Sequence, residues 1–174
     1  MNINQKYYAM NAALNTALID RDIVCPVYKY GVVAQPVSYP YMQTTYRVTK
    51  RQPYASSVSG VLIDFEYVLN FFTAAGHEKA NDTNLFIPYE TARELITSPE
   101  SMIWSGIANI LNHDETPEFN FKGGLEVIQR GLVFNCQAVA EFISTIHGGT
   151  EIPVDDIIDT IQDILEDEYI LSEV

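Results

Sequence analysis

The chain has 174 residues, of which 47% are apolar and 19% are charged, and its formal net charge is −13. A chain of this length suits a single domain and buries roughly 70% of its unfolded surface, so it needs neither a metal nor disulfides to fold. The excess of acidic residues argues against a sequence-independent grip on nucleic acid and against binding to an anionic membrane surface. No apolar stretch approaches the ~20 residues that cross a bilayer, so no membrane partner is expected.

The first third of the chain predicts a helix followed by extended structure. Apolar residues recur at helical spacing over residues 4–20. Residues 23–37 are expected to be extended, because Pro26 and Pro36 break any helix there. A short strand is expected to begin at Cys25.

The middle of the chain carries the clearest strand signals. Residues 39–50 alternate between apolar and polar side chains, and residues 58–72 do so more strongly, so both predict strands. Residues 51–57 and 73–84 are polar or contain Pro and Ser, and both are expected to be loops. The apolar face of the longer strand is formed by Val61, Ile63, Phe65, Tyr67, Leu69 and Phe71.

The next segment predicts two helices and a loop. Residues 88–97 follow a Pro in the first turn, a position at which Pro is favoured. Residues 99–112 have a plausible cap in Ser98 and an isoleucine stripe, so a second helix is expected there. Residues 113–124 are expected to be a loop.

The C-terminal part predicts a strand and an acidic helix. Residues 125–137 predict a strand that Gly131 interrupts, and residues 138–146 are compatible with a short helix. Residues 153–168 predict a final helix with an isoleucine stripe and a strongly acidic face. The fold class is therefore α+β: a mixed, mainly antiparallel sheet packed against helices, with residues 1–150 as the main domain and residues 151–174 as an acidic helical appendage.

Few residues offer a basis for catalysis. Asp64 and Glu66 share one strand face and could bind a metal or share acid–base work, but we favour an ordinary polar strand face, because no motif surrounds them. His77, His113 and His147 are scattered along the chain. The sequence contains no zinc-protease, P-loop, nucleophile-elbow or dinucleotide motif. We therefore assign no catalytic residue, no cofactor and no metal, and Cys25 and Cys136 are expected to be buried free thiols.

Other features favour contacts between proteins. The predicted strand at 58–72 is longer than the usual ~5–6 residues, and its neighbours are rich in Tyr, which suits surfaces that become buried on assembly. An intersubunit role and an ordinary Tyr-rich hairpin both stay open. From Glu151 to Val174 there are nine acidic residues and no basic one, which indicates a basic partner or repulsion of a polyanion. The subunit-interface candidates are Tyr39, Tyr41, Tyr46, Tyr67 and Phe71.

The order of the predicted elements resembles the tail-terminator, or tail-completion, proteins of tailed bacteriophages. The resemblance covers roughly residues 5–142 and rests on a first helix, the Tyr-Pro-Tyr strand at 39–41, the long strand at 58–72 and a late strand reading Gly-Leu-Val-Phe-Asn-Cys-Gln at 131–137. The polar segment at 73–84 and the acidic tail are additions to the pattern.

The resemblance implies a virion protein that is assembled in the host cytoplasm and performs no catalysis. Such proteins form a hexameric ring on the last ring of tail tube and join the tail to the head connector. The implied partners are therefore further copies of the chain, a tail tube or sheath protein, a connector or neck protein, and DNA that passes through the lumen without specific binding. Candidates for facing the lumen are Asp64, Glu66, Asp159 and Asp163. The alternative is a small acidic protein that binds or inhibits a basic partner.

Overall fold

The computed structural model describes residues 1–31, 38–53, 60–75, 83–122 and 126–141. Within these ranges there are two α-helices, a short 3-10 helix at Thr83–Phe86 and a five-stranded sheet. The helices and strands are α1 (Ile3–Ile19), β1 (Val27–Lys29), β2 (Tyr41–Pro53), β3 (Gly60–Ala75), α2 (Ile87–Thr97), β4 (Asn109–Lys122) and β5 (Glu126–Glu141).

The sheet has the strand order β1-β2-β3-β5-β4. β1 runs parallel to β2, and the other neighbouring strands are antiparallel. The predicted fold class, α+β with a mixed and mainly antiparallel sheet against helices, is therefore confirmed. The acidic C-terminal helix predicted at 153–168 and the segment at 142–146 lie outside the described residues, and the division at residue 150 stays a prediction.

The central strands follow the predicted alternation. β3 pairs with β5 over its whole length, from Gly60 opposite Glu141 to Ala75 opposite Glu126. Because side chains alternate across a strand, every second residue of β3 faces the helices. That face is formed by Val61, Ile63, Phe65, Tyr67, Leu69 and Phe71, all buried except the partly buried Val61.

A capping box begins α1, and an apolar stripe packs the helix against this face. The Asn2 side chain accepts a hydrogen bond from the backbone N–H of Gln5, whose side chain accepts one from the backbone N–H of Asn2, so both ends of a capping box are satisfied. The apolar stripe of α1 is fully or nearly fully buried and consists of Tyr7, Met10, Leu14 and Leu18. The helix ends one residue earlier than predicted.

α2 lies on the same face of the sheet. Its Tyr89 ring is 5.9 Å from the Phe71 ring, and the Tyr89 hydroxyl donates to the Gly131 carbonyl at 3.4 Å. After α2 the chain turns back to α1, where the Trp104 indole N–H donates to the Met10 carbonyl at 3.0 Å.

The helix predicted at 99–112 and the loop predicted at 113–124 are wrong. Residues 99–107 form turns, in which Met102 and Gly106 have positive φ values of 34° and 76° that a continuous helix excludes. The chain then enters β4, whose backbone groups are paired with β5. Pairing with β5, the next strand along the chain, therefore overrides the local isoleucine spacing.

Three predicted strand ends also change. Residues 51–53 continue β2 instead of starting a loop, and residues 73–75 continue β3. Residues 138–141 extend β5 where the sequence was compatible with a helix. In each case the neighbouring strand continues alongside, so the backbone finds partners there.

Candidate assembly surface

The sheet has a second face, which points away from α1 and α2. Polar side chains dominate its centre, and neighbouring strands are joined there by side-chain bonds. Arg47 of β2 forms a 2.8 Å ion pair with Glu66 of β3, and the Gln137 side-chain amide of β5 donates to the Asp64 carboxylate at 2.8 Å. We call this the open face, because among the described residues the helices cover only the opposite side.

The two carboxylates predicted as a possible pair are therefore bound to different neighbours. Asp64 bonds towards β5 and Glu66 bonds towards β2, so each serves to join strands. In the described ranges, no group of three or more His, Cys, Asp or Glu residues is arranged to hold a metal ion. Asp159 and Asp163 lie outside the described residues.

The five aromatic candidates divide into three environments. Tyr67 and Phe71 are fully buried beneath the helices, so their prediction as interface residues is corrected: they belong to the core. Tyr46 is half-buried beside α1, where its hydroxyl donates to the Asn4 side chain. Tyr41 stacks on Phe72 at 4.9 Å and is only 8% exposed.

Tyr39 completes the aromatic cluster at that end of β2. Its ring lies 5.5 Å from the Tyr41 ring, and its side chain is partly exposed. Tyr28 of β1 joins from the other side at 6.2 Å from Tyr41. Of the predicted interface residues, Tyr39 and Tyr46 thus remain partly exposed and accessible to another chain, whereas Tyr41 is buried by its own neighbours.

β4 provides a surface that the sequence analysis missed. It is the last strand of the sheet, and nearly all of its described side chains are exposed, with Leu111 at 58% and Phe119 and Phe121 at 53% each. It also carries three acidic residues, Asp114, Glu115 and Glu118, against one basic residue, Lys122. We call this strand the acidic edge.

A weak signal for β4 was present in the sequence. Phe119 and Phe121 alternate with polar neighbours, which is the strand period. Residues 113–124 were instead predicted to be a loop. The structure accommodates Pro117 in an irregularity of the β4–β5 register between Thr116 and Phe119, which is where a proline is tolerated in an edge strand.

The opposite side of the sheet is basic. β1 covers only Met42, Gln43 and Thr44 of β2, so the rest of β2, from Thr45 to Pro53, forms a sheet edge within the described residues. This edge contains Arg47, Lys50 and Arg51, all exposed, and no acidic residue. We call residues 45–53 the basic edge.

A groove between α2 and β4 has a volume of about 580 Å³ and is lined by Glu90, Arg93, Glu94, Thr97 and His113. Its cation is already neutralised, because Arg93 pairs with Glu90 at 2.5 Å and with Glu115 at 2.6 Å. The bond to Glu115 raises the pKa of Arg93 further above its ordinary value. Arg93 therefore ties α2 to β4 across this groove.

Cys25 and Cys136 are buried and unbonded to each other, as the sequence predicted. Burial raises the pKa of each thiol to about 12, so neither is a thiolate near neutral pH. No helix in the described part of the chain has the length and apolar character to span a membrane.

Comparison with known proteins adds no relative to this picture. No protein-family model matches the chain, and a search of curated proteins gives no significant match.

Proposed function

We propose that this protein is a structural subunit of a tailed-phage virion, which assembles with copies of itself into a ring that ends the tail tube or joins the tail to the head connector, and which performs no catalysis. The observation that carries the proposal is the sheet: among the described residues, one of its faces and both of its edges are left without a covering layer. An exposed strand edge is a site for pairing with another chain, and a long one is normally covered or used.

The order of elements supports the comparison with tail terminators. The N-terminal helix, the strand that follows Tyr39-Pro40, the long β3, the helix α2 and the late strand β5 follow one another in the predicted order, although β4 stands between α2 and β5 where a second helix was predicted. A ring needs two different patches on each subunit, because a head-to-tail contact closes by rotation. The basic and acidic edges are two such patches.

The open face is compatible with a wall beside DNA. Arg47 offsets Glu66, and the register places Lys50 opposite Asp64, so the centre of this face is close to neutral. A lumen lined by this face would have no basic excess to retain a passing polyanion. The proposed partners remain a tail tube or sheath protein on one side and a connector or neck protein on the other.

The first experiment is the mass of the purified protein in solution, with electron micrographs of the same sample. We expect a closed ring of about six copies of the 19.6 kDa chain. A protein that stays monomeric at micromolar to millimolar concentration, and that does not bind purified phage tails, would contradict the proposal.

The acidic edge supports a second function, an acidic protein that binds a basic partner. In that case the expected species is a one-to-one complex with the partner and not a ring. The same mass measurement separates the two functions.

A further inference from the structure

The charges of the two sheet edges differ from the charge of the molecule as a whole. The chain has only 10 Lys and Arg residues against 23 Asp and Glu residues. Three of those ten lie within the nine residues of the basic edge, where Arg47 is paired with Glu66 and Lys50 and Arg51 are exposed, and Lys29 of the adjoining β1 is a fourth. In so acidic a chain, this concentration marks the basic edge as a specific feature.

The acidic edge has the opposite charge and lies at the opposite end of the sheet. Asp114 is exposed, and the Glu115 and Glu118 side chains remain 53% and 39% exposed although they pair with Arg93 and Arg130. The edge also carries exposed Phe119 and Phe121, which lie on the open face opposite Gln129 and Val127 of β5.

We infer that the basic edge of one copy docks against the acidic edge of the next copy. A contact between two different edges is head-to-tail, so it leaves one edge of each kind free at the ends of every open chain of subunits until the ring closes. This inference rests on the proposed ring and names the surfaces that form it.

Irregularities in β2 and β4 limit how far the two edges can pair through their backbones. The β2 register shifts between Val48 and Lys50, and the β4 register shifts at Ile110/Asn112 and at Thr116/Phe119. Bulges and an edge proline interrupt continuous pairing between sheets. The backbone ladder between copies is therefore short, and the charged side chains fix the partner and the register.

The opposite charges of the two edges also restrict which molecule can bind to either edge. Two acidic edges, or two basic edges, would repel one another, so a two-fold contact of either edge with itself is disfavoured. A second copy of this chain supplies the complementary edge without any other protein.

The test uses two charge-reversed variants of the full chain. Variant A carries Lys50→Glu and Arg51→Glu, and variant B carries Asp114→Lys and Glu118→Lys. Each variant alone brings like charges together at every contact, so we expect self-association to weaken roughly tenfold or more relative to wild type. Sedimentation velocity and native mass measure the species present.

The decisive experiment is the mixture of variants A and B. When A and B are mixed in equal amounts, the reversed edge of each meets the reversed edge of the other, and the unchanged edges also match. We expect the mixture to assemble into rings in which A and B alternate. Glu100→Lys, a single charge reversal in an exposed turn on neither edge strand, is expected to assemble as wild type does.

The outcomes separate this inference from the proposed function. If wild type forms rings but A and B also form them, or if the folded variants lose rings and the mixture fails to restore them, the edge contact is wrong and the ring stands. If wild type forms no ring, the proposed function fails with it.

Glu118 bonds Arg130, so variant B could lose its fold. The milder variant with Asp114→Asn and Glu118→Gln keeps a hydrogen-bond acceptor for Arg130, and circular dichroism checks the fold of each variant. With the charge removed instead of reversed, we expect a smaller loss of self-association than in B. An unchanged association in a folded neutral variant would overturn the edge contact.

Discussion

Buried hydroxyls fix α1 on the sheet. The Tyr67 hydroxyl donates to the Asn11 side-chain oxygen at 2.6 Å, and the Thr44 hydroxyl donates to the same oxygen at 3.0 Å. The Tyr7 hydroxyl donates to the Thr44 carbonyl at 2.7 Å. These bonds join α1 to β2 and β3 inside an otherwise apolar layer, where an unpaired polar group would be costly.

Tyr67→Phe tests this network. The change removes one buried hydrogen bond but keeps the packing, so we expect the free energy of unfolding at pH 7 to fall by about 1 kcal/mol. Urea unfolding followed by circular dichroism measures it. Tyr8→Phe, at an exposed position of α1, is the control and is expected to leave stability unchanged.

The same variant has a distinct dependence on pH. Burial raises the pKa of Tyr67 well above its ordinary value of 10, so above pH 10 the unfolded chain loses this proton while the folded chain keeps it. The contribution is fully present below the unfolded pKa and is lost as pH rises towards the folded pKa. The deficit of Tyr67→Phe relative to wild type should therefore shrink above pH 10. A deficit that grows with pH would contradict this account.

At the scale of elements, the pairing of β4 with β5 leaves no room at one position. Gly131 lies opposite Thr116, and a Cβ added to Gly131 would overlap the Thr116 hydroxyl and come within 3.1 Å of the Asn70 side-chain oxygen. The Thr116 methyl carbon would also be only 3.3 Å from that Cβ, so both branches of the threonine crowd the position. The glycine thus allows close contact between neighbouring side chains, which explains the break in the sequence alternation.

Gly131→Ala is expected to destabilise the protein by about 1–3 kcal/mol, the usual cost of overpacking. Thr116→Ala, which removes both crowding atoms, should recover part of that loss in the double variant. Urea unfolding of the two single variants and the double variant measures the coupling. Strictly additive effects would mean that the two residues do not meet as the register places them.

At the scale of the whole molecule, charge acts in two opposing ways. A net charge of −13 makes copies repel one another at long range, while the contact of the two edges would attract at short range. Salt screens the long-range term first, because the Debye length is already about 8 Å at 0.15 M and falls to about 3 Å at 1 M. At physiological salt the long-range repulsion is already largely screened. Adding more salt therefore mainly weakens the attractive contacts between the two edges.

We therefore expect self-association of the wild-type chain to weaken as salt is raised from 0.15 M to 1 M. Sedimentation velocity at fixed protein concentration across that series measures it. Variant A, which lacks the attraction, should instead associate more readily as salt rises. Wild-type assembly that strengthens throughout the series would show that apolar contacts dominate the interface.

The sequence by itself determined the elements that have one buried side. α1, α2, β2, β3 and β5 were predicted because burial of one face imposes a period of 3.6 or 2 on the residues. Their fold class followed from their order. The buried state of both cysteines was predicted because free cysteines are among the most often buried residues.

Only the tertiary structure decided β4 and the surfaces of the sheet. An edge strand that is exposed on nearly all sides carries no burial pattern, so β4 became a strand through its pairing with β5 alone. The separation of Tyr67 and Phe71 from Tyr39 likewise depends on which side of the sheet the helices occupy. The opposite charges of the two edges become visible only when the strand order places residues 45–53 and 109–122 at opposite ends, because strand order depends on contacts between residues that are distant in the chain.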